Sequence, residues 1–145
     1  MKRWLVYSKL IFLFFCFALI SPAFADSLLL SPTETLKRVQ NNQLTLIDVR
    51  SPQEWRETGI AKGAKTITIH DPLGPAGFVA KVKASLRGKL DRPIALICAV
   101  GVRSTRAQNI LKRAGIKIVY NVREGMLGNP KDGLGWLKRG LPITR

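Results

Sequence analysis

The chain has 145 residues, 46% of them hydrophobic, which suits one domain with a proper core. Lys and Arg number 24 against nine Asp and Glu, a net charge of +15 that attracts nucleic acid, anionic membrane surfaces or small anions. One histidine and two cysteines fall short of the three or four ligands of a usual metal site.

Residues 1–25 read as a secretory signal peptide. Lys2, Arg3 and Lys9 form a basic start, Leu10 to Ile20 is an apolar run, and Ser21-Pro22 breaks it. Ala23-Phe24-Ala25 places small residues where a signal peptidase reads, predicting cleavage after Ala25. The alternative is a retained anchor, but the apolar run is short against the roughly 20 residues of a spanning helix. Bulky Phe14 and Phe15 before Cys16 argue against a lipoprotein cysteine. Cleavage leaves residues 26–145 as one domain, with no membrane span and Cys98 as its single thiol. That thiol has no internal partner for a disulfide and is a candidate reactive group. A segment of this form fits a bacterial periplasm. Export argues against a nucleic-acid partner, and the remaining 21 basic and nine acidic residues, a balance of +12, are scattered without a long run.

Leu28 to Leu30 is a candidate first strand. Ser31-Pro32-Thr33-Glu34 predicts a capping box with proline at the first helical position, and a helix to about Gln40 with Leu36 and Val39 inward. Leu44 to Arg50 reads as a buried parallel strand ending in charge. Asp48 and Arg50 at its end need partners, and a role in holding neighbouring loops is expected of them. Ser51-Pro52-Gln53-Glu54 is a second capping box, opening a short helix to about Thr58. Lys65 to Ile69 alternates as a strand does, and Leu73 to Gly77 reads as a loop. His70 reads as a residue at a strand end rather than a general base. A helix with Phe78, Val79, Val82 and Leu86 on one face ends near Gly88.

Residues 94–104 carry the chemistry. Ile94 to Ile97 is a short apolar strand, Cys98 ends it, and Ala107, Ile110, Leu111 and Ala114 mark one face of the following helix. Ser104 suits its N-cap or first turn, and Gly115 the position past its end. Cys98 therefore lies at the carboxyl end of a strand, where open α/β sheets bind ligands. Unpaired amides and the helix dipole favour a thiolate there and can hold an anion. Gly101 lets the loop curl, and Arg103 adds a positive charge. The alternative is a buried structural cysteine. Lys117 to Val122 is the last core strand, Glu124 to Gly128 starts a final helical region, and Asn129 to Gly135 reads as an inserted turn. Met126 and Trp136 read as core packing.

The loop from Cys98 to Arg103, with Ser104 opening the helix, resembles the active-site loop of the rhodanese family of sulfurtransferases. Asp48-Val49-Arg50 followed by Ser51-Pro52-Gln53-Glu54-Trp55, then Gly59-Ile60-Ala61-Lys62-Gly63-Ala64, resembles the family's N-terminal signature, with Ile60 where many members carry histidine. Trp136 to Ile143, with Gly140-Leu141-Pro142, resembles its C-terminal end. Four residues separate Cys98 from Arg103, whereas tyrosine phosphatases have five and room for a phosphate. The resemblance implies an open parallel five-stranded α/β sheet with helices on both faces. It implies a Cys98 persulfide intermediate and no separate cofactor. Ala99, Val100, Gly101, Val102, Arg103 and Ser104 would bind a small anionic sulfur donor such as thiosulfate. The acceptor would be cyanide or a thiol, with a periplasmic protein acceptor as a further candidate. Val100 and Val102 are apolar where many thiosulfate-active relatives carry a charge, which favours another donor. A low-turnover sulfur carrier or redox-sensing module is the alternative. A phosphatase or oxyanion reductase on this fold needs a longer loop or further cysteines.

Overall fold

The computed structural model describes residues 28–145; the expected signal peptide and Cys16 lie outside them. Helix α1 spans Pro32–Gln40, strand β1 Thr45–Asp48, and helix α2 Pro52–Thr58. Strands β2 (Ile60–Ala61) and β3 (Lys65–Thr66) lead to helix α3, Gly74–Ser85. Strand β4 (Ile94–Ile97), helix α4 (Val102–Arg113), strand β5 (Val119–Val122), helix α5 (Gly135–Lys138) and strand β6 (Ile143–Thr144) complete the order.

The main sheet is parallel, with four strands in the order β3-β1-β4-β5. The expected fifth strand, at Leu28 to Leu30, shrinks to one parallel bridge between Leu29 and Asn121. The Leu30 amide donates to the Asn121 carbonyl and the Asn121 amide to Leu28, at 3.0 and 2.8 Å. Ser31-Pro32 then turns the chain into α1, so no further ladder bond can form. The alternating stretch from Lys65 to Ile69 is likewise a strand only at its start. Beyond Thr66 the amides of Ile67 and Ile69 still donate to Asp48 and Val49, at 3.1 Å each.

Both faces of the sheet are covered, which explains why its strands read as unbroken apolar runs. Ile47, Val49, Ile94 and Leu96 pack against Phe78, Val82 and Leu86 of the α3 region and Ala107 and Leu111 of α4. Leu46, Ala95, Ile97 and Val122 face the opposite layer, where Leu36 and Val39 of α1 meet Met126 and Trp136. A second, antiparallel ribbon pairs β2 with β6 and joins the end of the chain to the segment after α2.

Helix starts follow local chemistry. Ser51 and Glu54 form the full reciprocal box at α2. At α1 only half forms: Ser31 Oγ accepts the Glu34 amide, but the Glu34 carboxylate turns to Arg38 at 2.8 Å. Helix α3 begins at Gly74, within the expected loop, because Asp71 accepts the Leu73 amide and the Asp71 carbonyl accepts that of Gly74. Residues 124–127 form turns rather than a helix. The inserted turn closes through an antiparallel bridge between Asn129 and Gly133.

Candidate active site

Strand β4 delivers Cys98 to the carboxyl edge of the sheet, where its side chain is 1% exposed. The Gly101 amide donates to Cys98 Sγ at 3.1 Å, and Ser104 Oγ lies 3.3 Å from the same sulfur. Helix α4 starts at Val102, two residues before Ser104, so Ser104 occupies its first turn. The Ser104 hydroxyl donates to the Gly101 carbonyl at 3.1 Å. In that orientation it accepts from a thiol; by rotating it can donate to a thiolate.

Gly101 is the pivot of the loop. Its φ is +93°, and a Cβ there would sit 2.2 Å from the Arg123 carbonyl oxygen. Its own carbonyl also accepts from the amide and hydroxyl of Thr105, at 3.1 and 2.7 Å. Asn121 Nδ2 in turn donates to the Thr105 hydroxyl at 2.8 Å. The turn after β5 pins the first half of the loop, with the Met126 and Leu127 amides donating to the carbonyls of Cys98 and Ala99 at 2.8 and 2.9 Å. The amides of Ala99, Val100, Val102, Arg103 and Ser104 have no hydrogen-bond partner among the described residues. Those of Val102, Arg103 and Ser104 are the donors that a helix start leaves open, and those of Ala99 and Val100 belong to the loop before it. Val100 and Val102 form an exposed apolar rim, Val102 being 72% exposed.

Arg103 does not carry a free charge. Its guanidinium forms a two-pronged ion pair with Glu54, at 2.6 and 2.5 Å. Glu54 also accepts from the Ser51 amide and hydroxyl, both at 3.0 Å. Arg103 first, and then the Ser51 contacts, hold the Glu54 carboxyl down at about 2, against the cost of its burial. The Glu54 carboxylate raises the Arg103 guanidinium in return. The sequence marks Glu54 only as a helix cap. Its second role needs a contact across 49 positions, for which spacing offers no signal.

Asp48 and Arg50 form a buried pair beside this frame, both at most 1% exposed. Arg50 Nε lies 3.0 Å from Asp48 Oδ1, and Nη2 is 2.7 Å from Oδ2. The rest of the guanidinium donates to the Thr58 hydroxyl at 2.6 Å and the Gly59 carbonyl at 2.7 Å. Arg50 thus fastens the far end of α2 to β1, while Glu54 fastens its near end to the loop. His70 is exposed, and its imidazole hydrogen-bonds no described residue.

A profile of the rhodanese-like domain matches residues 31–128. The uncharacterized protein RP600 of Rickettsia prowazekii is 33% identical over 107 residues, covering 72% of this chain and 85% of that protein. A tRNA uridine(34) hydroxylase of Acinetobacter baumannii is 32% identical over 68% of this chain, though only 30% of its own length takes part. Among solved structures, the polysulfide-sulfur transferase homodimer of Wolinella succinogenes superposes with a TM-score of 0.59 at 28% identity, covering 80% of this chain and 77% of that one. A profile match across most of the described fold, together with a cysteine loop at the carboxyl edge of a parallel sheet, leads to one conclusion: the chain belongs to the rhodanese-like domain family.

Proposed function

We propose that the protein is a sulfurtransferase that works through a Cys98 persulfide. The observation that carries this reading is the Cys98 sulfur, held by the Gly101 amide and Ser104 hydroxyl in a loop whose other amides have no hydrogen-bond partner among the described residues. The Cys98 thiolate attacks the outer sulfur of a donor such as thiosulfate. A sulfur–sulfur bond forms at Cys98, the donor's own breaks, and sulfite leaves with the electron pair. Cyanide or a thiolate then attacks the outer sulfur, and Cys98 leaves as thiolate. With cyanide the product is thiocyanate. No net proton or external oxidant is needed, and the covalent intermediate predicts ping-pong kinetics. Amides from Ala99 to Ser104 stabilise negative charge on the terminal sulfur, as an oxyanion hole does for oxygen.

Arg103 is compensated by Glu54, and the rim at Val100 and Val102 offers a sulfonate no charge. Both observations favour a less polar sulfane donor, and the likeness to a polysulfide-sulfur transferase makes polysulfide the second donor to try. The near-complete burial of Cys98 also supports a carrier with slow turnover that passes sulfur to a protein partner. We place the reaction in the periplasm, after cleavage at Ala25, on the strength of the residues before it.

Intact mass tests the reading. The reduced protein is incubated with thiosulfate or polysulfide, beside a Cys98→Ser control, and cyanide is then added. One added sulfur on the wild type alone, discharged as thiocyanate, supports transferase chemistry. An added sulfur that cyanide leaves in place supports the carrier. No addition from either donor refutes persulfide chemistry at Cys98.

A further inference from the structure

We propose that Thr105 and Asn121 are positioning residues for the sulfur chemistry. Together they occupy the Gly101 carbonyl and so release the Ser104 hydroxyl to the Cys98 sulfur. Their role depends on the persulfide chemistry proposed above and acts on its second half, in which Cys98 leaves as a thiolate.

Three donors aim at the Gly101 carbonyl: the Thr105 amide at 3.1 Å, the Thr105 hydroxyl at 2.7 Å and the Ser104 hydroxyl at 3.1 Å. A carbonyl oxygen has two lone pairs. Thr105 alone fills both, and its hydroxyl makes the shortest of the three contacts. Ser104 is therefore the surplus donor, and its oxygen also lies 3.3 Å from Cys98 Sγ. When the persulfide breaks and negative charge returns to Cys98, the Ser104 hydroxyl can turn to the sulfur without leaving the carbonyl unpaired.

A threonine bonded to the carbonyl four residues back is ordinary in a helix. Asn121 is not ordinary. Side chains alternate along a strand, so Asn121 shares a face of β5 with Val119, which belongs to the core with Ala107 and Leu111. Asn121 is 1% exposed, and its Oδ1 is buried with no hydrogen-bond partner among the described residues. Such an atom costs stability, and an apolar residue would fill the position without that cost. The satisfied half of the amide is Nδ2, which donates to the Thr105 hydroxyl at 2.8 Å. A hydroxyl has one proton. With a donor on one side, Thr105 turns its proton to the other, where the Gly101 carbonyl lies. A flipped amide would satisfy Oδ1, but it would draw that proton away and bring Ser104 back to the carbonyl. Thr105 itself is exposed, and the buried Asn121 fixes the direction of a hydroxyl that water would otherwise reorient. Strand β5 thus decides which hydroxyl serves the carbonyl and which serves the sulfur.

The test is the rate at which cyanide discharges a preformed Cys98 persulfide, followed by intact mass. Thr105→Val keeps the shape, removes the hydroxyl and is expected to slow discharge about fivefold, the worth of one hydrogen bond. Thr105→Ser restores the hydroxyl and should stay within about twofold of the wild type. Ser104→Ala removes the released hydroxyl and should slow discharge about tenfold. Because Thr105 acts through Ser104, the double variant should match Ser104→Ala within about twofold. A further loss of about fivefold in the double variant would overturn the proposal, since Thr105 would then act independently of Ser104. Asn121→Leu repeats the test from β5: a loss of about threefold is expected, and none on the Ser104→Ala background. A Thr105→Val protein as fast as a working wild type would overturn the role and leave sulfur transfer standing. A wild type that takes up no sulfur, or does not yield it to cyanide, would overturn the role together with the transferase reading.

Discussion

Glu54→Gln tests the frame around Cys98 most directly. The substitution keeps an oxygen for the Ser51 amide and removes the charge that faces Arg103. The displacement of the Glu54 carboxyl from 4.5 to about 2 sets an upper bound of about 3 kcal/mol. The side chains of Arg103 and Glu54 are 28% and 26% exposed, so solvent screening reduces this to about 1–2 kcal/mol. For a domain of this size that is a fall in melting temperature of about 4–8 °C. Because the carboxyl is lower in the folded than in the unfolded chain, the stabilisation is complete above pH 4.5. It is lost as the pH falls toward about 2. Thermal unfolding followed by circular dichroism, at neutral pH and in steps down this window, reads both effects. The wild type should lose its advantage over Glu54→Gln through the window. An equal pH slope in the two proteins, or a variant as stable as the wild type at neutral pH, refutes the reasoning.

Gly101→Ala should damage the loop on two counts. The left-handed backbone alone costs about 1–3 kcal/mol, and the added methyl meets the Arg123 carbonyl. Urea unfolding measures the loss, and slower persulfide formation in intact-mass time courses should accompany it. Asp48→Asn leaves the Arg50 guanidinium buried without its carboxylate and should cost about 3–5 kcal/mol in urea unfolding. Val100→Lys places a cation on the exposed rim and should raise the rate of persulfide formation from thiosulfate relative to polysulfide, read by the same mass assay. Trp136→Phe removes the indole bond to the Pro142 carbonyl, at 2.9 Å, and should cost about 1 kcal/mol of stability.

What the sequence makes legible is what is local or periodic. The apolar run Ile94 to Ile97, its terminal cysteine and the helix after it needed only pattern and turn chemistry, and the structure arranges them so. Element ends were less readable, because tertiary contacts choose among competing local options. Glu34 could cap its own helix or pair with Arg38, and it pairs. Asp71 starts α3 earlier than the glycines and proline of that stretch suggest. The ribbon of β2 and β6 has two residues on each side, too few to show a period. Arg103 illustrates the limit at the site: its place in the loop was readable, while the partner that compensates its charge was not.

The ribbon of β2 and β6 also sets an order of events during synthesis. Ile143 packs where a Cβ on Gly59 would lie, at 2.7 Å, and the Gly59 carbonyl receives Arg50. Helix α2, which carries Glu54, is therefore braced at its far end by residues made more than 80 positions later. Cys98 and its loop are complete in the growing chain before that brace exists. The thiol acquires its full frame only after translation has passed residue 144. A nascent or truncated chain that stops short of Ile143 would display the cysteine with α2 unbraced, and a thiol-labelling time course on such chains would follow the frame closing.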